Sequence, residues 1–191
     1  MNGGFRDYLD ESGALLRAAG DGIGQNLLDG VVDSIVAALS SGKPLLVCGN
    51  GGSAADAIHL TAELVGRFLL SRRALKVICL SENPALLTAW SNDVGFDTAF
   101  ARQVEAYGEF GAVLLGISTS GRSGNVIAAF RQARKMGVTT IALTGEGGGE
   151  LADHADWLLA VPSRTTHLVQ QVHVCIYHYL CLRIEVRLAQ P

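Results

Sequence analysis

VCGNGGSAADAIHLTAELVGRF, residues 47–68, changes character halfway along. Its first residues close the short apolar run KPLLVCG, which has Pro before it and Gly after it and therefore reads as a buried strand. Gly49, Gly51, Gly52 and Ser53 then crowd into five positions, and a helical pattern carrying His59 and Glu63 follows at once. Strand, glycine turn and helix in that order make the unit from which α/β sheets are built. Four more strands of the same kind are read at ALKVICL, AVLLGIS, TTIALTG and WLLAVP, each separated by a segment of helix length. Five buried strands with crossover helices predict a parallel, doubly wound, three-layer sheet of Rossmann or flavodoxin type.

Outside that core, FRDYLDESGALLRAA and NLLDGVVDSIVAAL repeat apolar residues at helical spacing, and residues 165–188 read as one long C-terminal helix. The expected layout is a single domain. Residues 1–42 are helices whose apolar faces need a partner, 43–164 the α/β core, and 165–188 a helix carrying site residues. With 191 residues, 49% hydrophobic and 17% charged, the chain is long enough for one well-buried domain and short for two. A net charge of −3 with no long basic run gives no footprint for nucleic acid or a membrane surface, so the expected ligand is small. Cys48, Cys79, Cys175 and Cys181 lie in apolar stretches without CxxC spacing and read as buried thiols in a reducing cytoplasm. The acid-bearing start MNGGFRDYLDESGALL does not read as a signal peptide, and no stretch approaches a membrane span.

Ligands of such folds bind outside the carboxyl ends of the strands, and two loops there stand out. Gly49-Asn50-Gly51-Gly52-Ser53-Ala54 fits the loose dinucleotide pattern GxGxxA, with Glu82 after the next strand as a ribose partner; it fits equally a tight turn that needs glycine. His59 and Glu63, four apart, share one helix face, where they form either a plain surface pair or part of a reaction centre. The second loop, Gly116 to Asn125 (GISTSGRSGN), puts four hydroxyls, the glycines Gly121 and Gly124 and a helix N-terminus around one point, which is what a phosphate group needs. It lacks a Walker lysine and a GxSxG elbow, and a simple N-cap would need fewer hydroxyls.

Together CGNGGSAADAIHLTAEL, AWSNDVGF, GISTSGRSGNVIAAFRQARKMG, ALTGEGGGELADHAD and VQQVHVCIYH resemble the phosphoheptose isomerases of the sugar-isomerase (SIS) domain family. The resemblance implies conversion of sedoheptulose 7-phosphate to D-glycero-D-manno-heptose 7-phosphate, the first step toward nucleotide-activated heptose for lipopolysaccharide, capsule or other glycans. It implies one zinc per subunit on His59, Glu63, Gln170 and His178, with Glu63 and His178 as the acid/base pair and no nucleotide cofactor. The sugar phosphate would be held by Asn50, Gly51, Gly52, Ser53, Glu63, Asn92, Asp93, Ser118, Thr119, Ser120, Ser123 and Gln170. A cytoplasmic homotetramer is implied as well.

The chemistry of these residues agrees with that assignment. Moving a proton between C1 and C2 needs a base such as a carboxylate, and a histidine can shuttle the accompanying proton between the two oxygens. Gln170 and His178 are eight apart, about 12 Å along one helix. Either Gln170 sits at an irregular helix start or neighbouring subunits combine. The stretch from Ser163 to His167 lacks the acid many relatives carry there, and Gln171 replaces a common Glu. His154, His167 and His173 read as ordinary helix or surface histidines, and Arg67 as a phosphate, intersubunit or plain salt-bridge partner. The competing readings are a non-catalytic SIS protein, either a sugar-phosphate sensor or a replication-initiator-associating adaptor, and a nicotinamide-dependent enzyme.

Overall fold

The computed structural model of the chain describes residues 3–189. Two helices, α1 (Phe5–Gly22) and α2 (Gln25–Ser40), precede the sheet. Then follow β1 (Leu45–Gly49), α3 (Gly52–Val65), β2 (Val77–Cys79), α4 (Pro84–Asp93), α5 (Ala99–Tyr107), β3 (Val113–Ser118), α6 (Gly124–Lys135), β4 (Thr139–Thr144), β5 (Trp157–Ala160) and α7 (Thr166–Leu188). The five strands are all parallel in the order β2-β1-β3-β4-β5, as the run of buried strands predicts.

Alternation along each strand divides the core in two. Leu45 and Val47 point toward α2, α3 and α7, where Val31, Ile35, Leu60, Leu64, Val172 and Tyr177 close over them. Leu46 and Cys48 point the other way, under Phe100, Val104, Val126 and Phe130 of α5 and α6. Burial of such aliphatic side chains stabilises by about 1.5–3 kcal/mol each, and both layers draw on it.

Two expectations are corrected. The connection between β4 and β5 carries no crossover helix but only a 3₁₀ segment, Gly149–His154. Gly147, Gly148 and Gly149 all adopt positive φ just there, and glycine in that conformation stops a helix from starting earlier. Cys175 is exposed, unlike Cys48, Cys79 and Cys181, because the inward stripe of α7 runs through Val172, Ile176, Leu180 and Ile184 and leaves position 175 on the outer face. Among the described residues no helix is long and apolar enough to cross a membrane.

Candidate active site

The chain leaves β1 through α3 to β2 on one side and leaves β3 through α6 to β4 on the other. The loops after β1 and β3 therefore part above their shared boundary, where doubly wound sheets hold ligands. Gly51 begins α3 from φ 55°, ψ −122°, a backbone position that L side chains avoid. Gly52 is held small for another reason, since a Cβ there would lie 2.6 Å from the Gln170 amide. Asn50 and Asn125 close the crevice with a reciprocal amide pair, at 2.8 Å and 2.9 Å.

The second loop is not an ordinary cap. Ser123 stands at the N-cap of α6, but its side chain makes no bond to the helix backbone; the hydroxyl meets Ser118 Oγ at 2.9 Å instead. Thr119 and Ser120 line a small cavity with Arg122, Glu146 and Arg164. Asn92 and Asp93 end α4 in the open, with the Asn92 amide donating to Asp93. The following turn reaches the second loop, for Asp97 Oδ1 lies 3.2 Å from where a Cβ on Gly124 would stand.

Farther along α3, packing on α7 builds a third cluster. One donor atom each from His59, Glu63 and His178 lies within 4.8 Å of the others. His59 Nε2 is 3.1 Å from Glu63 Oε1, and its Nδ1 is 2.9 Å from the Tyr177 hydroxyl. Burial, with the nearby Asp56 carboxylate adding to it, pushes Tyr177 up to about 12, so it remains a neutral phenol that fixes the imidazole. Phe68 stacks on His178 with ring centroids 5.6 Å apart. Two imidazoles and a carboxylate, with a partner on the free nitrogen of one imidazole, are a donor set suited to catalytic zinc with a position left open.

Gln170 is bonded elsewhere on α3. α7 is regular from Thr166, which corrects the irregular start offered for it. Its amide donates to Asp56 at 2.9 Å, and burial raises the Asp56 carboxyl above its ordinary value despite that bond. Gln170 and Gly52 mark the crevice end of the α3/α7 pair, and His178 and Glu63 mark the far end, eight and eleven residues on, or about 12 and 16 Å.

The other residues singled out scatter. His173 is a helix residue of α7, fully buried, with Nε2 at 3.0 Å from the Thr144 carbonyl. His167 stacks on Tyr8, His154 accepts from Arg131, and exposed Arg67 pairs with no carboxylate among the described residues. Sequence reasoning missed Asp56, Tyr177, Phe68 and Asn125. Asp56 precedes His59 by three residues on the same helix face, so its spacing was a usable signal; Tyr177, Phe68 and Asn125 owe their roles to contacts made across the fold.

Comparison with known proteins agrees on one family. Residues 7–145 match the profile of the SIS domain. A phosphoheptose isomerase of Crocosphaera subtropica is 48% identical over 84% of this chain and 82% of its own length, and one from a Bradyrhizobium strain is 48% identical over 93% and 89%. Among solved structures, the phosphoheptose isomerase of Neisseria gonorrhoeae superposes with a TM-score of 0.89 at 37% identity, covering 95% of this chain and 96% of that one.

Proposed function

The chain belongs to the phosphoheptose isomerase family of SIS-domain proteins and is a sugar-phosphate isomerase; on that premise we propose that it converts sedoheptulose 7-phosphate to D-glycero-D-manno-heptose 7-phosphate. The observation that carries this reading is the meeting of His59, Glu63 and His178 at one point, which supplies a base and a proton shuttle where a mere sensor needs neither.

In this reading the hydroxyl loop, Ser118 to Ser120 with Ser123, receives the phosphate through hydroxyls, backbone N–H groups and the positive end of α6. Asn50, Gly51, Gly52, Ser53, Asn92, Asp93 and Gln170 line the path of the sugar. Glu63 takes the proton from C1 and returns it to C2, while His178 carries the hydroxyl proton from one oxygen to the other, so that the enediol between them is used up and no oxidant is required. Zinc on His59, Glu63 and His178 would supply Lewis-acid polarisation of the sugar oxygens. A carboxylate shared with such an ion would be a poorer base than a free one.

The three helical turns between Gly52 and Glu63 are too long a step for one phosphate-anchored sugar. We therefore assign the triad of one chain to the crevice of a second copy, whose Gln170 completes the metal set. The groove between α1, α2 and α7, lined by Leu16, Ile23, Leu28, Val172 and Ile176, supports assembly through the leading helices, and a homotetramer in the cytoplasm is the form proposed.

Proton NMR in heavy water with sedoheptulose 7-phosphate tests the reaction. Deuterium should enter C2 of a new aldose phosphate, and Glu63→Gln should abolish it. Sugar-phosphate binding without exchange or product would overturn the reading in favour of a sensor.

A further inference from the structure

Residues 66–76, between α3 and β2, contain no helix or strand, yet they are pinned to the far end of α7. Glu185 lies on α7 with its side chain 0% exposed, and Arg72 of the connecting segment is 1% exposed. One carboxylate oxygen of Glu185 accepts the Phe68 N–H at 3.0 Å, and the other accepts those of Leu69 and Leu70 at 2.6 Å and 2.8 Å. Arg72 Nε stands 3.2 Å from the same carboxylate. Its two terminal nitrogens donate to the carbonyls of Glu63 at 3.0 Å, Gly66 at 3.2 Å and Arg73 at 3.1 Å. Burial by itself would raise the Glu185 carboxyl, but the three N–H donors and the guanidinium outweigh it and hold the group below its usual value.

Apolar burial does not explain this arrangement. Leu69 is 63% and Leu70 41% exposed, so what the carboxylate holds is their backbone. Two links lead from the clasp to the reaction centre. Arg72 satisfies the carbonyl of Glu63 itself, in the last turn of α3, where helix carbonyls lack intrahelical partners. Glu185 fixes Phe68, whose ring lies on the His178 imidazole. A buried ion pair is a weak source of net stability, though breaking it is costly, so the retained pair calls for a role in geometry.

We propose that Glu185 and Arg72 are positioning residues of the isomerase, which set Glu63 and His178 against each other by clamping the 66–76 segment and seating Phe68 on His178. The assignment rests on the acid/base reading of Glu63 and His178.

The test is a double-mutant cycle of Glu185→Gln and Phe68→Leu in the full-length zinc-loaded enzyme. Each single variant should lower kcat roughly ten- to hundredfold, as small misplacements of reacting groups do, with KM within about threefold of wild type, a change too small to signal lost substrate binding. The double variant should lose no more than the worse single one, and Phe68→Tyr, which keeps the ring, should recover most of the loss. The His178 ring protons should shift alike in Glu185→Gln and Phe68→Leu by NMR, a readout independent of turnover. A lowered Tm with kcat, KM and those signals unchanged would overturn the proposal, as would losses that multiply. If Glu185→Gln does not fold, Phe68→Leu against Phe68→Tyr decides alone: equal kcat in the two overturns it. Glu63→Gln assayed beside them separates the failures, since retained turnover there refutes the acid/base reading whatever the clasp variants do.

Discussion

The hydroxyl loop draws Ser118, Thr119, Ser120 and Ser123 from six consecutive residues at the start of one helix, whereas the triad takes His59 and Glu63 from α3 and His178 from α7, near the end of the chain. The loop is a local device. Strand β3 ends, Gly121 turns with φ 62° and α6 begins, so one short stretch of chain gathers all four hydroxyls. The triad exists only because α3 packs on α7, through Leu60 and Leu64 on one side and Val172, Tyr177 and Cys181 on the other. Binding and chemistry should accordingly come apart under mutation, and their separation is the property to attack first.

His178→Asn is the sharpest blow. Removing an acid/base group costs roughly 10²- to 10⁴-fold in kcat, while the dissociation constant for the sugar phosphate, measured by calorimetry, should stay within about threefold if phosphate contacts carry the affinity. Loss of binding along with turnover would mean that triad and loop act as one unit, and the contrast drawn above would fall.

The same contrast explains what the sequence discloses. Glycines, hydroxyls and apolar runs act through local geometry, so the five strands, both strand-end loops and the long last helix could be read directly. His59 and Glu63 share a face by helical spacing alone. The resemblance to a family, rather than spacing, brought His178 to them, and nothing local places Tyr177 on His59 or Phe68 on His178. Gln170 shows the limit most clearly. The resemblance implies a fourth ligand there although the spacing from His178 speaks against it, and a regular α7 carries the residue to the Asp56 end of the helix pair.

A second pair of regions lies on α7 itself, where His173 and His178 are five residues apart and differently employed. His173 is buried against the Thr144 carbonyl with its Nδ1 unpartnered, and burial pushes it down to about 4 from an ordinary 6.5, against the pull of that bond. The unfolded chain thus takes up this proton near pH 6.5 and the folded chain only near pH 4. The stability tied to neutral His173 is complete above pH 6.5 and is lost as the pH falls from there toward 4. Between pH 7 and pH 5 the loss is about 2 kcal/mol. Urea unfolding at fixed protein concentration should show a pH slope in that window steeper for wild type than for His173→Asn by that amount. Equal slopes would show that His173 gains its proton within the fold and is not the purely structural histidine of the pair.

Ser123→Ala should have the smallest effect, and it asks whether the loop is a ligand site or only a well-dressed turn. An N-cap serine that bonds its helix is worth about 1 kcal/mol of stability. The Ser123 hydroxyl does not bond the helix and is turned to Ser118, so its removal should leave Tm nearly unchanged. A hydrogen bond to a charged phosphate is worth about 1.5–3 kcal/mol, and losing one of several should raise KM roughly tenfold while kcat holds. A fall in Tm with KM unchanged would return the loop to the role of a cap. The phosphate would then need another seat, and the cations flanking the same cavity, Arg122 and Arg164, would be the next residues to remove.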